Sequence, residues 1–225
     1  MPRVTDVRRL LADHRPTTKS TAGRDRASVA VVLREGAGRG SEVLFIERAR
    51  KPGDPWSGHM AFPGGRAEAV DPSPSFTAAR ETLEEVGLDL VDAEILGRLD
   101  DLEGRRDGKP VGMVISAFVY HVAEPSPLLL QKSEVEAAFW FPVRELADPE
   151  RHVPYRWRHS NGMNMEMPGI RVGDSEPHVV WGLTYRFVEI LMGLIERPLP
   201  ARWDRDTVES EAEPRDPDGA GRTDG

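Results

Sequence analysis

Three glutamates, Glu81, Glu84 and Glu85, stand at spacings of three and four residues, directly after Arg80 and downstream of the pair Gly64-Gly65. If residues Phe76 to Val86 are helical, about 100° per residue places the three carboxylates on one arc. Phe76, Ala79, Leu83 and Val86 then centre on the opposite side, as a core-facing stripe. Like charges at these spacings repel by roughly a few tenths of a kcal/mol per pair. A divalent cation would offset that repulsion. Mg2+ in particular takes oxygen ligands in octahedral geometry and bridges one or two carboxylates to substrate phosphates. The two glycines ahead of the helix let backbone approach a metal or a phosphate closely. Taken by itself, an acidic helix face is more often a solvated surface, so the chemistry depends on what surrounds it.

The surrounding elements can be read from punctuation and periodicity. Ala27 to Leu33 and Glu42 to Glu47 read as strands of a hairpin around the Gly-rich turn Gly36 to Ser41. Arg50 to Pro74 is dense in Pro and Gly, a long loop of the kind that carries function. Ser73 or Ser75 can cap the acidic helix and Gly87 can end it. Further strands are expected at Ala93 to Leu99, Val111 to Val122 and Val135 to Phe141, with a turn at Asp107-Gly108 and a short helix over Val143 to Leu146. Pro149 to Pro177 is irregular, with short strands at Val153 to Arg158 and Met163 to Met167. The alternation Met163, Met165, Met167 reads as a strand face. A last helix over about Val179 to Ile195 turns Val180, Leu183, Phe187, Ile190, Leu191 and Leu194 to a core. Strands flanking a central helix, with another helix at the end, describe an α/β fold in which a mixed sheet is sandwiched between helices, an α/β/α arrangement. Residues 1–26 form an N-terminal helix (Val4 to Arg15) and linker, 27–197 the domain, and 198–225 a polar tail with little to bury, expected to be disordered.

Composition narrows the function further. The formal charge of −8 argues against a stable nucleic-acid complex, which needs clustered cations to displace counterions. With no cysteine there are no disulfides, thiolate nucleophiles or Cys-bound zinc, so a metal must sit on oxygen or His. No apolar run is long enough for a membrane span and the N-terminus lacks a signal peptide's apolar core, so a cytoplasmic location is the expectation. His59, His152, His159 and His178 are tempting bases, but an oxygen-ligand Mg2+ site needs none of them. Tyr155 and Trp157 have the character to stack on adenine or, more commonly, to serve as core aromatics.

With these residues in view, a resemblance becomes specific. Gly64-Gly65 followed by Arg80-Glu81-Thr82-Leu83-Glu84-Glu85-Val86-Gly87-Leu88 resembles the Nudix box, Gly … Arg-Glu-apolar-any-Glu-Glu-any-Gly-apolar. The interval from Gly65 to Arg80 is one residue longer than in the standard motif, and Asp71 stands where it can serve in the place of the glutamate midway through the box. The resemblance implies a Nudix fold and hydrolysis of a nucleoside diphosphate linked to a further group. It implies that Glu84 and Glu85 are principal ligands of Mg2+, with Mn2+ as a substitute. Glu81 is implied as a further ligand or the group that handles the attacking water, Gly65 as a carbonyl ligand, and Arg80 as the group that orients Glu81. Nudix enzymes often place a late carboxylate near the corresponding strand, and Glu134 is the choice for it here, with Glu136 its neighbour.

Upstream, Val43-Leu44-Phe45-Ile46-Glu47-Arg48-Ala49 and Gly58-His59-Met60-Ala61-Phe62-Pro63-Gly64-Gly65 resemble the motif of the coenzyme A diphosphatase branch, as does Trp181-Gly182-Leu183-Thr184. Gly53 occupies the counted position of that motif's second arginine, and Arg50 and Lys51 are the nearest cations. Arg48, Arg50, Phe62 and Gly64 are then the expected substrate-binding residues. The implied substrate is coenzyme A or an acyl derivative, cleaved to adenosine 3′,5′-bisphosphate and a phosphopantetheine. ADP-ribose, a dinucleotide or a nucleoside triphosphate is the alternative within catalysis, and a nucleotide-binding module without turnover the alternative outside it. The resemblance also leaves room for a homodimer.

Overall fold

Residues 29–33 are apolar without a break, Val-Ala-Val-Val-Leu, the composition of a strand covered on both faces. A computed structural model, which describes residues 2–38, 40–54, 56–106, 109–158, 164–173 and 178–201, places them at the centre of the molecule. In chain order the elements are α1 (Val4–Ala12), β1 (Asp25–Gly36), β2 (Gly40–Arg48), β3 (Met60–Ala61), β4 (Gly64–Arg66) and α2 (Pro74–Val86). Then come β5 (Glu94–Arg98), β6 (Leu102–Arg106), β7 (Lys109–His121), β8 (Val135–Pro142) and 3-10 turns at Val143–Ala147 and Pro149–Arg151. The chain closes with β9 (His152–Arg158), β10 (Asn164–Arg171), β11 (Val179–Trp181) and α3 (Gly182–Leu194).

β1 and β2 form the expected hairpin, ending at the pair Gly36 and Gly40. On its other side β1 runs parallel to β7 over Asp25 to Leu33, and its first residues also pair antiparallel with β4. β2 takes β3 and β8 as further partners, and β7 takes β5 and β6, which completes a mixed sheet. Alternate residues of the central strands feed two separate cores. Ala30, Val32, Leu44 and Ile46 meet Ala78 and Val86 of α2, whereas Val31, Leu33, Val43 and Phe45 meet Val4, Val7 and Leu11 of α1 and Phe187, Val188 and Leu191 of α3. The sheet is thus sandwiched between helices, as expected. Strands β9, β10 and β11 form a small antiparallel sheet of their own.

Several expectations change in detail. The long loop from Arg50 to Pro74 contains β3 and β4, each too short to show periodicity, and β6 was not foreseen. Residues Val179 to Trp181, expected as the first turn of the last helix, pair with β10 instead, and α3 starts at Gly182, whose φ is +62°. Asp107-Gly108, His159 and Met163 lie outside the described residues, as do residues 202–225 and the side chain of Trp157.

Candidate active site

The approach to α2 is built from Gly64-Gly65. Gly64 has φ +152°, and a Cβ there would lie 2.3 Å from the Ser28 carbonyl oxygen and 2.6 Å from Val29 Cα, so only glycine lets β4 lie against β1. At Gly65 a Cβ would instead meet the carboxyl carbon of Glu81 at 2.4 Å. Glycine is therefore required at Gly64 for the sheet, and at Gly65 it leaves the Glu81 carboxylate its place.

α2 begins at Ser73, whose Oγ accepts the Phe76 N–H at 3.1 Å, with Pro74 in the first turn. The Tyr120 hydroxyl donates to the Ser75 carbonyl at 2.7 Å, and Gly87 ends the helix in the left-handed conformation. These anchors set a rotation that differs from the apolar stripe predicted by periodicity. Thr77, Ala78, Thr82, Glu85 and Val86 face the sheet, whereas Phe76 and Leu83 are exposed. Small Ala78 and Thr82 allow close approach to the sheet, and the Thr82 hydroxyl is satisfied within the helix by the Ala78 carbonyl at 2.7 Å. The three glutamates consequently occupy three environments. Glu84 is solvent-facing, Glu81 is partly buried, and Glu85, expected on a solvent-facing arc, is only 3 % exposed.

Glu85 accepts the Gly64 N–H at 2.9 Å, so that donor, expected to serve substrate, is already engaged. Burial is the largest influence on Glu85 and pushes its carboxyl up to about 8, with Glu81 and Glu134 adding in the same direction. Burial likewise raises Glu81. Arg80 ties the helix to the loop before it. It donates to Asp71 from Nε at 3.0 Å and from Nη2 at 3.1 Å, to the Arg66 carbonyl at 3.1 Å, and to Glu84 at 3.0 Å, and it pairs with Glu81 at 3.0 Å. The Asp71 carboxylate is almost fully enclosed and is held down to about 2, chiefly by the Arg80 hydrogen bonds. Asp71 thus anchors Arg80, which in turn positions Glu81 and Glu84.

On the opposite wall, a β-bulge at Glu47/Arg48 interrupts the pairing of β2 with β8, and the Glu134 carbonyl accepts the Ala49 N–H at 2.7 Å. This brings the ends of β2 and β8 together. The charges of Arg48 and Glu134 both act on Glu85, and that of Glu134 also acts on Glu81. Glu134 is exposed and, among the described residues, its carboxylate makes no hydrogen bond. Arg48 donates to Asp54 at 3.1 Å.

Other expected substrate residues lie elsewhere. Phe62 is 3 % exposed and stacks on Phe45 with centroids 5.1 Å apart; it is a core residue, because its apolar ring closes the α1 and α3 side of the sheet. The Arg50 guanidinium is exposed, folded over Gly58 and 3.9 Å from Glu47. Tyr155 stacks on Trp181 at 4.4 Å, with His59 edge-on to Trp181 at 4.8 Å, which makes Tyr155 part of an aromatic cluster joining the two sheets. Burial drives His59 down to about 4, so its ring is neutral. Sequence reasoning missed two pairs, Arg48 with Asp54 and the enclosed Glu47 with His178 at 3.3 Å. Neither has a local spacing signal, because a loop conformation makes one and the other joins β2 to the residue before β11, 131 positions away.

The donor set facing Gly65 is hard oxygen throughout, which suits Mg2+ or Mn2+. A buried carboxyl such as Glu85 ionises readily only beside a cation, and Glu81 and Glu134 increase that demand. Among the described residues no three metal-ligating side chains are drawn together into a ready-made cluster, since Arg80 holds Glu84 and Gly64 holds Glu85.

The family model described as NUDIX domain matches residues 24–160, the stretch that contains β1, both glycines, all of α2 and Glu134. The chain is similar to protein C14C4.10c of Schizosaccharomyces pombe, 37 % identical over 162 residues that cover 63 % of this chain and 48 % of that one. It is similar to Nudix hydrolase 15, mitochondrial, of Arabidopsis thaliana, 29 % identical over 71 % of this chain and 54 % of that one. It is also similar to the mitochondrial coenzyme A diphosphatase NUDT8 of Homo sapiens, 26 % identical over 75 % of this chain and 70 % of that one. The chain spans about half the length of the first curated relatives it matches. A crystal structure of a NUDIX hydrolase from Alicyclobacillus acidocaldarius aligns over 79 % of this chain and 93 % of its own, with 21 % identity and a TM-score of 0.48. A glycine pair laid against an acidic helix, Arg80 joining that helix to its entry loop, and a family match over the whole of this region place the chain in the Nudix domain family.

Proposed function

We propose that the protein is a divalent-metal-dependent hydrolase that cleaves the diphosphate linkage of a nucleoside diphosphate derivative. The observation that carries this reading is Glu85, a buried carboxyl beside Glu81 and Glu134 whose ionisation calls for a cation. Glu81, Glu84, Glu85 and the Gly65 carbonyl would hold Mg2+ or Mn2+, and the cation would neutralise the diphosphate and activate water. Arg80, fixed by Asp71, keeps Glu81 oriented. Glu134, exposed and within electrostatic reach of Glu81 and Glu85, accepts the proton of the attacking water. Arg48, partly exposed and bonded to Asp54 through Nη2, binds a phosphate oxygen through the accessible part of its guanidinium.

Coenzyme A or an acyl derivative is the proposed substrate. The upstream motif around Arg48 and Gly58 to Gly65 supports it, as does similarity to a relative named as a coenzyme A diphosphatase. Incubation with Mg2+ and a panel of coenzyme A, ADP-ribose, NADH and deoxynucleoside triphosphates, followed by product analysis, tests both levels. Adenosine 3′,5′-bisphosphate from coenzyme A is the expected outcome. Turnover of ADP-ribose or NADH alone would overturn the substrate, and no turnover of any compound with Mg2+ or Mn2+ would overturn catalysis in favour of a binding module.

A further inference from the structure

The loop from Ala49 to Gly58 is closed at its neck by two backbone hydrogen bonds, Gly58 N–H to the Arg48 carbonyl and Arg48 N–H to the His59 carbonyl, each 3.0 Å. Inside the loop, Asp54 accepts the Trp56 N–H at 2.9 Å and the Arg48 Nη2–H at 3.1 Å through its two different oxygens. The backbone bond fixes the carboxylate, and the carboxylate fixes the guanidinium. Arg48 projects from the same face of β2 as Ile46, the face covered by α2, and its charge acts on Glu85. Glu85 makes no ion pair among the described residues, although it is a buried carboxyl on which the Arg48 charge acts. Nε of Arg48 is buried and, among the described residues, has no hydrogen-bond partner. An arginine with unspent donors on the same side of the sheet as a buried carboxyl is drawn toward it, because a buried charge without an ion-pair partner is costly.

We infer that Asp54 is a positioning residue that tethers Arg48 away from Glu85, so that Glu85 stays free for a divalent cation and Arg48 for a phosphate. The inference rests on the function proposed above, and it adds a role for a residue outside the acidic helix. Competition between a cation and Arg48 for one carboxyl gives a specific signature. When the tether is cut, Arg48 closes on Glu85 and cation affinity falls; when Arg48 is removed as well, affinity returns.

Mn2+ binding by the full chain, followed through the electron paramagnetic resonance of the free ion, tests this without any turnover. Asp54→Ala should weaken Mn2+ binding about tenfold, Arg48→Ala should leave it unchanged or tighter, and the double variant should bind as Arg48→Ala does. Asp54→Glu, which can still reach Arg48, should restore affinity. Because Asp54 lies on a loop, thermal melts of Asp54→Ala and Asp54→Glu should match the parent, and that of the double variant should match Arg48→Ala. If Asp54→Ala binds Mn2+ like the parent, or weakens binding equally with and without Arg48, the tether is wrong and Asp54 acts only as a nearby charge or not at all. If the parent binds no Mn2+, the proposed function falls and the inference with it.

Discussion

Glu85 is a carboxyl whose environment works against its charge. Burial raises it from an ordinary 4.5 to about 8, so the metal-free folded protein keeps a proton there that the unfolded chain releases above about 4.5. Between those values the native state binds the extra proton, and stability therefore falls as pH rises. Glu85→Gln should remove that slope, since an amide still accepts the Gly64 N–H and never needs to ionise. The expected outcome is a metal-free variant at least as stable as the parent at pH 8, with turnover abolished; melting curves across the pH range and a product assay check the two halves. A large loss of stability at every pH would show that the carboxyl is structural. Asp71 has the opposite character, with its charge favoured by the Arg80 fork and its stabilisation lost only as pH falls from 3.8 toward about 2. The two carboxyls respond to opposite ends of the pH scale.

At the level of elements, adjacent glycines separate fold from chemistry. Gly64→Ala would press a methyl group into the β1 backbone and should prevent β4 from pairing, with loss of folded protein. Gly65→Ala would press only on the flexible end of Glu81, so the fold should survive while Mg2+-dependent activity is lost. Circular dichroism and activity measured on both variants would check this; equal effects on the two would contradict the division of roles. Sequence reading found the acidic helix because its cap, its glycine stop and its charges are local signals. Of the expected apolar stripe, Val86 and Ala79 do pack against the core, whereas Phe76 and Leu83, favoured by counting apolar residues, are exposed. The actual rotation comes from tertiary contacts, including the Tyr120 hydroxyl on Ser75 and the Gly64 N–H on Glu85, which no spacing rule contains. For the same reason Phe62 could be read as a substrate contact: its stacking partner Phe45 arrives from β2. Asp71 was legible as a stand-in for the glutamate midway through the box, but its enclosure and two-pronged bond to Arg80 depend on how the entry loop folds back over the helix.

Across the whole molecule, β1 is the strand on which both cores and the acidic site depend. It touches β2 through a local turn, but its long parallel partner β7 lies more than seventy residues downstream. Amide protons of residues 30–33 should therefore be the slowest to exchange with deuterated water, opening only with global unfolding, a pattern that hydrogen-exchange mass spectrometry would test. Exchange at those amides as fast as in α1 would contradict it. The pairing also orders events during synthesis. A parallel crossover cannot close until its second strand exists, so a nascent chain that has delivered Glu81, Glu84 and Glu85 from the ribosome still lacks the strand that secures their platform. The acidic helix is made before the scaffold that gives it shape, and the hydrophobic run Val29 to Leu33 must wait, half covered, for residues 113–121 to emerge.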